Sequence, residues 1–380
     1  VLFRDNKDKA DQIMPFTAWQ SEDPEDLWQW MAGYEQKTGG RVLAIPHNGN
    51  LSNGRMFALM DFEGNPLTQD YASRRSRWEP LQEVMQTKGN SETHPGLSPN
   101  DEFADFGIAG WEYGNLTMEG EPESQEMRPF MYLRGGLLNG LAQERKLGTN
   151  PFKFGMIGGT DIHNSLTAID EDNFFGKHVS QEPNPHRWNH VSKEGFGKTR
   201  YTWHYTAAGY AAVWATDNTR EALWDAMQRK EVYATSGNRP TVRFFGGWDY
   251  TADDANTRYI VDAGYAKGVP MGADLPAMSK DASAPTFLLA AMKDPLGGNL
   301  DRIQIIKGWL DADGETHERI YDVAWGDADK RQPGRDGKLP PVGDTVDVAN
   351  ATWTNTIGDP DLATVWSDPD FDASQPAFYY

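Results

Sequence analysis

Along roughly the first 240 residues, amphipathic stretches alternate with short apolar runs. In "SEDPEDLWQWMAGYEQKTGG", Leu27, Trp30, Met31 and Tyr34 recur at helical spacing, with acids ahead of them and Gly39 and Gly40 behind. That pattern predicts a helix capped by Ser21. "RVLAIP" is a short apolar run that ends in "HNGN", and "LQEVMQTKG" reads as a second strand. "MRPFMYLRGGLLNGLAQERKLG" puts Leu133, Leu137, Leu138 and Leu141 on one helical face, and "FKFGMIGG" comes next as a third buried strand. "NTREALWDAMQRKE" predicts another helix, with Asn218 as cap, before the strand "VYATSG". Such alternation implies parallel strands with functional groups at their C-terminal ends, as in a barrel or open α/β sheet.

From "RPTVRFFGGWDY" onward the pattern changes. "TFLLAAMKD", "RIQIIKGWL" and "RIYDVAW" are short strands separated by turns rich in Gly, Pro and Asp, and "GDADKRQPGRDGKLPPVGD" reads as a long loop. The expected organisation is an α/β domain over 1–239 and a β-rich, sandwich-like domain over 240–380.

A length of 380 residues suits two domains, because single cores rarely grow past about 250–300 residues. With 36 basic and 56 acidic residues the formal charge is −20, which argues against nucleic acid and against an anionic membrane surface as partners. No apolar run approaches the roughly 18 residues of a membrane span. The absence of cysteine removes thiol nucleophiles, disulfides and thiolate metal sites, leaving oxygen and imidazole ligands. It also fits an exported bacterial protein, so a periplasmic or secreted location is expected. "VLFRDNKDKA" has no initiator Met and reads as the end of a strand, which suggests a fragment or a processed chain.

The candidate chemistry lies at the predicted strand ends. In "FGMIGGTDIHNS", Asp161 and His163 stand at alternate positions, so on a continuing strand both face one way and suit a shared zinc, manganese or iron(II) ion. The simpler alternative is a "GGTD" turn in which Asp161 caps the next segment. "AIPHNGN" sets His47 at another strand end, with Asn48 in the turn beside it. "QTKGNSETHPG" offers Lys88, Ser91, Glu92 and His94, a set able to grip an anionic oxygen if it is not simply a solvated loop. Glu112 beside aromatics, and His178, His186 and His190 in a Pro- and Trp-containing loop, are weaker candidates. "EGFGKT" lacks the first glycine of a phosphate loop, and "DADGE" fits a hairpin turn better than a calcium loop.

Taken together, "IPHNGN" and "GGTDIHN" resemble two metal motifs of the PHP (polymerase and histidinol phosphatase) metallohydrolases. The likeness is closer to a bacterial branch catalogued as domain of unknown function 3604, itself similar to carbaryl-hydrolase-like metallohydrolases. "RVLAIPHNGNLSNG", "KGNSETHP", "NPFKFGMIGGTDIHN", "EDNFFGKH", "EVYATSG" and "IIKGWLDADGETHE" carry that resemblance across the chain. It implies a partial, distorted α/β barrel and then the β-rich domain, with two or three manganese or zinc ions activating water against a small-molecule ester. By motif, His47, Asp161 and His163 are the implied metal ligands. Loop chemistry assigns catalytic contacts to Lys88, Glu92 and His94, and substrate contacts to Lys88, Ser91, His94 and Asn48. The family's H-x-H and T-D-H motifs and its bridging Glu are not found, so a missing N-terminal segment or another chain is expected to complete the site. A phosphate ester is the expected substrate. The alternatives are a carboxylic ester or carbamate, or a non-catalytic protein holding a glycan or headgroup.

Overall fold

The computed structural model describes residues 1–113, 115–165, 177–178, 184–280, 282–335 and 337–380. These fall into two compact units, one of Val1–Gly237 with Trp309–His317 and the other of Asn238–Gly308 with Glu318–Tyr380.

The first unit runs β1 (Leu2–Phe3), α1 (Lys7–Ala10), α2 (Pro24–Thr38), β2 (Val42–Leu43), α3 (Gln69–Trp78), β3 (Leu81–Gln86), β4 (Gly89–Asn90), α4 (Leu133–Leu147), β5 (Gly155–Gly158), β6 (Val191–Gly195), β7 (Lys198–Tyr201), β8 (Gly209–Val213), α5 (Arg220–Gln228) and β9 (Val232–Ser236). Helix α2 starts later than expected. Asp23 is its cap and accepts from the Glu25 amide, Pro24 takes the first turn, and Ser21 instead accepts from the Asp23 amide. Proline tolerates the first turn because its missing N–H has no helical partner there. Likewise Thr219, not Asn218, caps α5 through the Ala222 amide.

Helix α2 turns Trp28, Met31 and Tyr34 inward against Tyr71 and Trp78 of α3, Leu133 of α4, and Val84 and Met85 of β3. Burying such side chains stabilises the unit by about 1.5–3 kcal/mol each.

Among the described residues no sheet closes into a barrel. Among the described residues of this unit the expected parallel pairing is found between β3 and β5, and β1–β2, β3–β4, β6–β7 and β8–β9 are antiparallel. The run "RVLAIP" yields only the two-residue β2, since Pro46 has no N–H to donate and restricts Ile45. The chain still lies beside β3. The Ala44 amide donates to Trp78 O (2.8 Å), and Pro46 O accepts from the Glu83 amide (3.1 Å).

The second unit contains β10 (Thr241–Gly247), α6 (Ala252–Ala255), α7 (Ile260–Lys267), β11 (Gly268–Pro270), β12 (Thr286–Met292), most of β13 (Arg302–Leu310) and of β14 (Thr316–Trp325), β15 (Asp361–Ser367) and β16 (Ala377–Tyr379). Its sheets have the orders β11-β10-β12-β15 and β14-β13-β16. Phe287 and Leu289 of β12, Ile305 of β13, Val323 of β14, Trp366 of β15 and Tyr379 of β16 share one apolar core, so this unit is β-rich as expected. Helices α6 and α7 interrupt a region whose pattern predicts only strands and turns. No helix of the described residues is long and apolar enough to cross a membrane.

Candidate functional site

Three neighbouring segments end at one place. The run through Pro46 delivers His47, β3 delivers Lys88 in a tight turn closed by Gly89 (φ +99°), and β5 delivers Asp161. The glycines ending β5 allow close approach. A Cβ on Gly158 would lie 2.5 Å from the Tyr210 carbonyl, and one on Gly159 would lie 2.8 Å from Glu83 Oε1. Asp161 itself has φ +54° and Asn48 φ +63°, a left-handed backbone that Asn and Asp tolerate better than other side chains.

Asp161 does not stand beside His163 as a free ligand pair. Its Oδ2 accepts from the ammonium groups of both Lys88 and Lys177, and Lys177 also donates to the Asp161 carbonyl. Lys88 and Lys177 are each 4% exposed, so this is a buried three-charge cluster. His163 is tied in through its backbone, its amide donating to Lys177 O at 2.8 Å. Its Nδ1 lies 3.0 Å from Lys177 Nζ and 2.7 Å from Asp161 O; unprotonated it accepts from the lysine, protonated it donates to the carbonyl. The His163 and His178 rings lie 4.9 Å apart.

Burial alone would raise the Asp161 carboxyl, but the hydrogen bonds from Lys177 and Lys88 hold it below the usual carboxylate range. Lys177 is pulled down to about 8 by burial, with Lys88 adding repulsion against the opposing pull of Asp161. His47 is exposed as a residue and makes no hydrogen bond among the described residues. Desolvation of its ring, and after it the charge of Lys88, nevertheless lowers its pKa and favours the neutral imidazole.

Glu83 belongs to this site, although the motif pattern does not single it out. Gln86 Nε2 donates to Glu83 Oε2 (2.8 Å) and to Asn48 Oδ1 (2.9 Å), and the Asn48 amide also donates to the Glu83 carboxylate. Burial chiefly, with the charge of Asp161, raises the Glu83 carboxyl. A signal was present in the sequence: one acid inside the apolar run "LQEVMQ".

The "GNSETHP" residues serve other partners. Ser91 Oγ donates to Asn50 Oδ1 at 2.9 Å, and Glu92 pairs with the buried Arg134, which also binds Asp101 and Ser98. His94 Nδ1 accepts from the Gly96 amide at 2.9 Å, and burial, with Arg128 nearby, lowers its pKa to about 4. None of its contacts among the described residues is with His47, Asp161 or His163. Glu112 sits in a turn near Arg200 and His204, its Oε2 buried without a hydrogen-bond partner among the described residues. His186 and His190 are exposed around the single turn Arg187–Asn189. Residues 171–176 of "EDNFFGKH" lie outside the described residues, as do 179–183 of the loop around His178.

Among the described residues, no three His, Asp or Glu side chains are gathered to hold one ion. The donors nevertheless fit a divalent ion in kind. Asp161 Oδ1 and His163 Nδ1 face each other at 3.8 Å, with Glu83 and His47 as further oxygen and nitrogen donors in the same electrostatic neighbourhood.

An α/β unit carrying a polar, part-buried cluster at adjacent strand ends, in a chain that also has a β-rich unit, is the class of protein this defines. The profile of a family described as "Protein of unknown function (DUF3604)" matches residues 1–380, and the chain belongs to that family. Comparison with curated proteins and with solved structures found no match.

Proposed function

We propose that this chain is a metal-dependent hydrolase of the PHP type that acts on phosphate esters. The observation that supports this reading is the convergence of His47, Glu83, Lys88, Asp161, His163 and Lys177 at neighbouring strand ends, with carboxylate, imidazole and ammonium groups within one electrostatic neighbourhood. Asp161 and His163, with Glu83 and His47, are the residues that would hold the ion. A bound divalent ion supplies Lewis-acid chemistry, polarising an ester oxygen and making water acidic. The chain's own groups do the rest. Lys88 and Lys177 bind anionic oxygens, neutral His47 has a lone pair for an ion or a proton, and the Gln86–Asn48 hydrogen bonds fix the Glu83 carboxylate.

The test is metal analysis of the purified protein, combined with a panel of chromogenic phosphate mono-, di- and triesters, sulfate esters, carboxylic esters and carbamates, with manganese or zinc. Turnover that needs the metal and is lost in Asp161→Ala is expected. Failure to hydrolyse any ester with either metal would sink the proposal.

A further inference from the structure

We infer that Glu112, Arg200 and His204, with the indole of Trp203, form a binding site for a neutral sugar ring; it uses no residue of the strand-end cluster and does not rest on the hydrolase reading. Two segments build it. Gly110 lets them meet, since a Cβ there would lie 2.4 Å from His204 Cγ. Arg200 Nε donates to Gly110 O at 2.7 Å, and its guanidinium lies over the Trp111 ring, 4.2 Å from the centroid. Trp111 Nε1 donates to His204 O at 2.8 Å, and the Tyr113 ring stands edge-on to the His204 ring at 6.5 Å. Glu112 is thus held between two anchored neighbours.

Among the described residues the Glu112 carboxylate makes no hydrogen bond and no ion pair, and Arg200, 1% exposed, leaves its Nη2 buried without a hydrogen-bond partner. The two nevertheless stand in each other's field. Leaving such groups unbonded is costly, so the missing partner brings a donor to one and an acceptor to the other. His204 adds a second donor: its Nδ1 accepts from the Tyr201 amide at 2.9 Å, and burial favours the neutral ring, which then carries its proton on Nε2. Arg200 Nε and Nη1 are spent on the Gly110 and Leu116 carbonyls (2.7 and 3.2 Å), so the guanidinium cannot grip a carboxylate or phosphate with two prongs, but Nη2 can serve a single oxygen. An anion would meet Glu112, and a cation would meet Arg200. Hydroxyls donate and accept at once, so neighbouring hydroxyls satisfy all three groups without adding charge. Trp203 is 55% exposed with its ring 3.7 Å from that of His204, a flat apolar face beside the polar groups that suits the C–H face of a pyranose.

The experiment titrates the unaltered protein with the methyl pyranosides of glucose, galactose, mannose and N-acetylglucosamine, and with glycine and adenosine, by calorimetry and saturation-transfer NMR. At least one pyranoside should bind, with a Kd in about the millimolar range expected of a single ring. Glu112→Gln should weaken it about 10-fold or more, the range for losing a charged hydrogen bond. Trp203→Ala should weaken it about 10-fold through the lost aromatic face, and Asp161→Ala should leave it unchanged. No bound pyranoside, or glycine or adenosine bound more tightly than every pyranoside, overturns the inference. So does a pyranoside whose affinity neither Glu112→Gln nor Trp203→Ala alters, and so does one that Asp161→Ala abolishes, which belongs to the strand-end cluster instead. Should Glu112→Gln fail to fold, Trp203→Ala decides, because that side chain is exposed: lost affinity supports the site, and retained affinity overturns it.

Discussion

Replacing Asp161 by Asn keeps the side-chain shape and the tolerance for a left-handed backbone, and removes only the charge. Lys88 and Lys177 are then left facing each other, with side chains 6% and 4% exposed. Breaking a buried ion pair by removing one partner costs about 3–5 kcal/mol, and burial this deep leaves little room for solvent screening. At about 2–4 °C per kcal/mol for a unit of this size, the first unit's unfolding midpoint should fall by about 10 °C at pH 7. The pH dependence carries a sign that can be checked. Lys177 is pulled down from 10.5 to about 8, so between those values the unfolded chain binds more protons than the folded one. Stability therefore rises with pH across that window, and the penalty, on the order of 3 kcal/mol in the unaltered protein, is fully present below it. Without Asp161 the lysine titrates lower still, and the variant should recover much of its deficit by about pH 9. On the acid side, the depressed Asp161 carboxyl contributes stability above the ordinary carboxylate range that is lost as pH falls through its folded value; the variant lacks that limb. Thermal unfolding in chelator at several pH values measures this, with Asp161→Asn/Lys177→Met as the partner variant. A midpoint within about 2 °C of the unaltered protein at pH 7, or a double variant as unstable as the single one, would refute the buried cluster.

Glu83→Gln keeps an acceptor for Gln86 while removing a desolvated charge, so the unfolding free energy at pH 7 should hold within about 1 kcal/mol while ester turnover drops about 100-fold or more; full turnover would exclude Glu83 from the chemistry. Arg134→Met removes the ion pair to the buried Asp101 carboxylate and should cost about 3–5 kcal/mol in urea unfolding; an unchanged midpoint would mean that this buried pair does not hold the turn after β4. Gly158→Ala forces a Cβ against the Tyr210 carbonyl and should cost about 1–3 kcal/mol by overpacking; a neutral result in thermal unfolding would mean that β5 and β8 do not approach as closely as described.

The features legible in the sequence are those that depend on local pattern. The apolar runs of β3 and β5 and the polar ends carrying Lys88, Asp161 and His163 were legible because each needs only its own neighbours. Helix α3 was not, since "QDYASRRSRW" has little apolar periodicity and is held by burying Tyr71, Arg75 and Trp78. The start of α2 carries two competing signals, and the Asp23–Pro24 pair, as strong a start signal as Ser21, is the one that caps the helix. Ser91, Glu92 and His94 show what local pattern leaves out. Nearness along the chain does not fix nearness in space, and the turn after β4 sends the three side chains to Asn50, Arg134 and Gly96. Lys177 stayed hidden because its meaning comes from Asp161, sixteen residues earlier. The parallel succession failed at Pro46, where a missing N–H cut the run short while leaving His47 beside β3.

The left-handed backbone at Asp161 restricts which alleles this position can explore. Gly and Asn satisfy the torsion but carry no charge for the two lysines; Glu carries the charge but strains the torsion and reaches one methylene too far. A saturation library at 161, scored once for folding and once for activity, should therefore return two short lists of accepted residues that intersect at aspartate. Asn48, with the same torsion and a side-chain oxygen used by Gln86, should be nearly as intolerant, with Asp as its nearest substitute. Lys88, whose backbone is ordinary, should accept Arg. In such a map the sharpest constraint in the site falls on the residues that shape its turns, so a drifting descendant can alter the side chains around the site more readily than the backbone that places them.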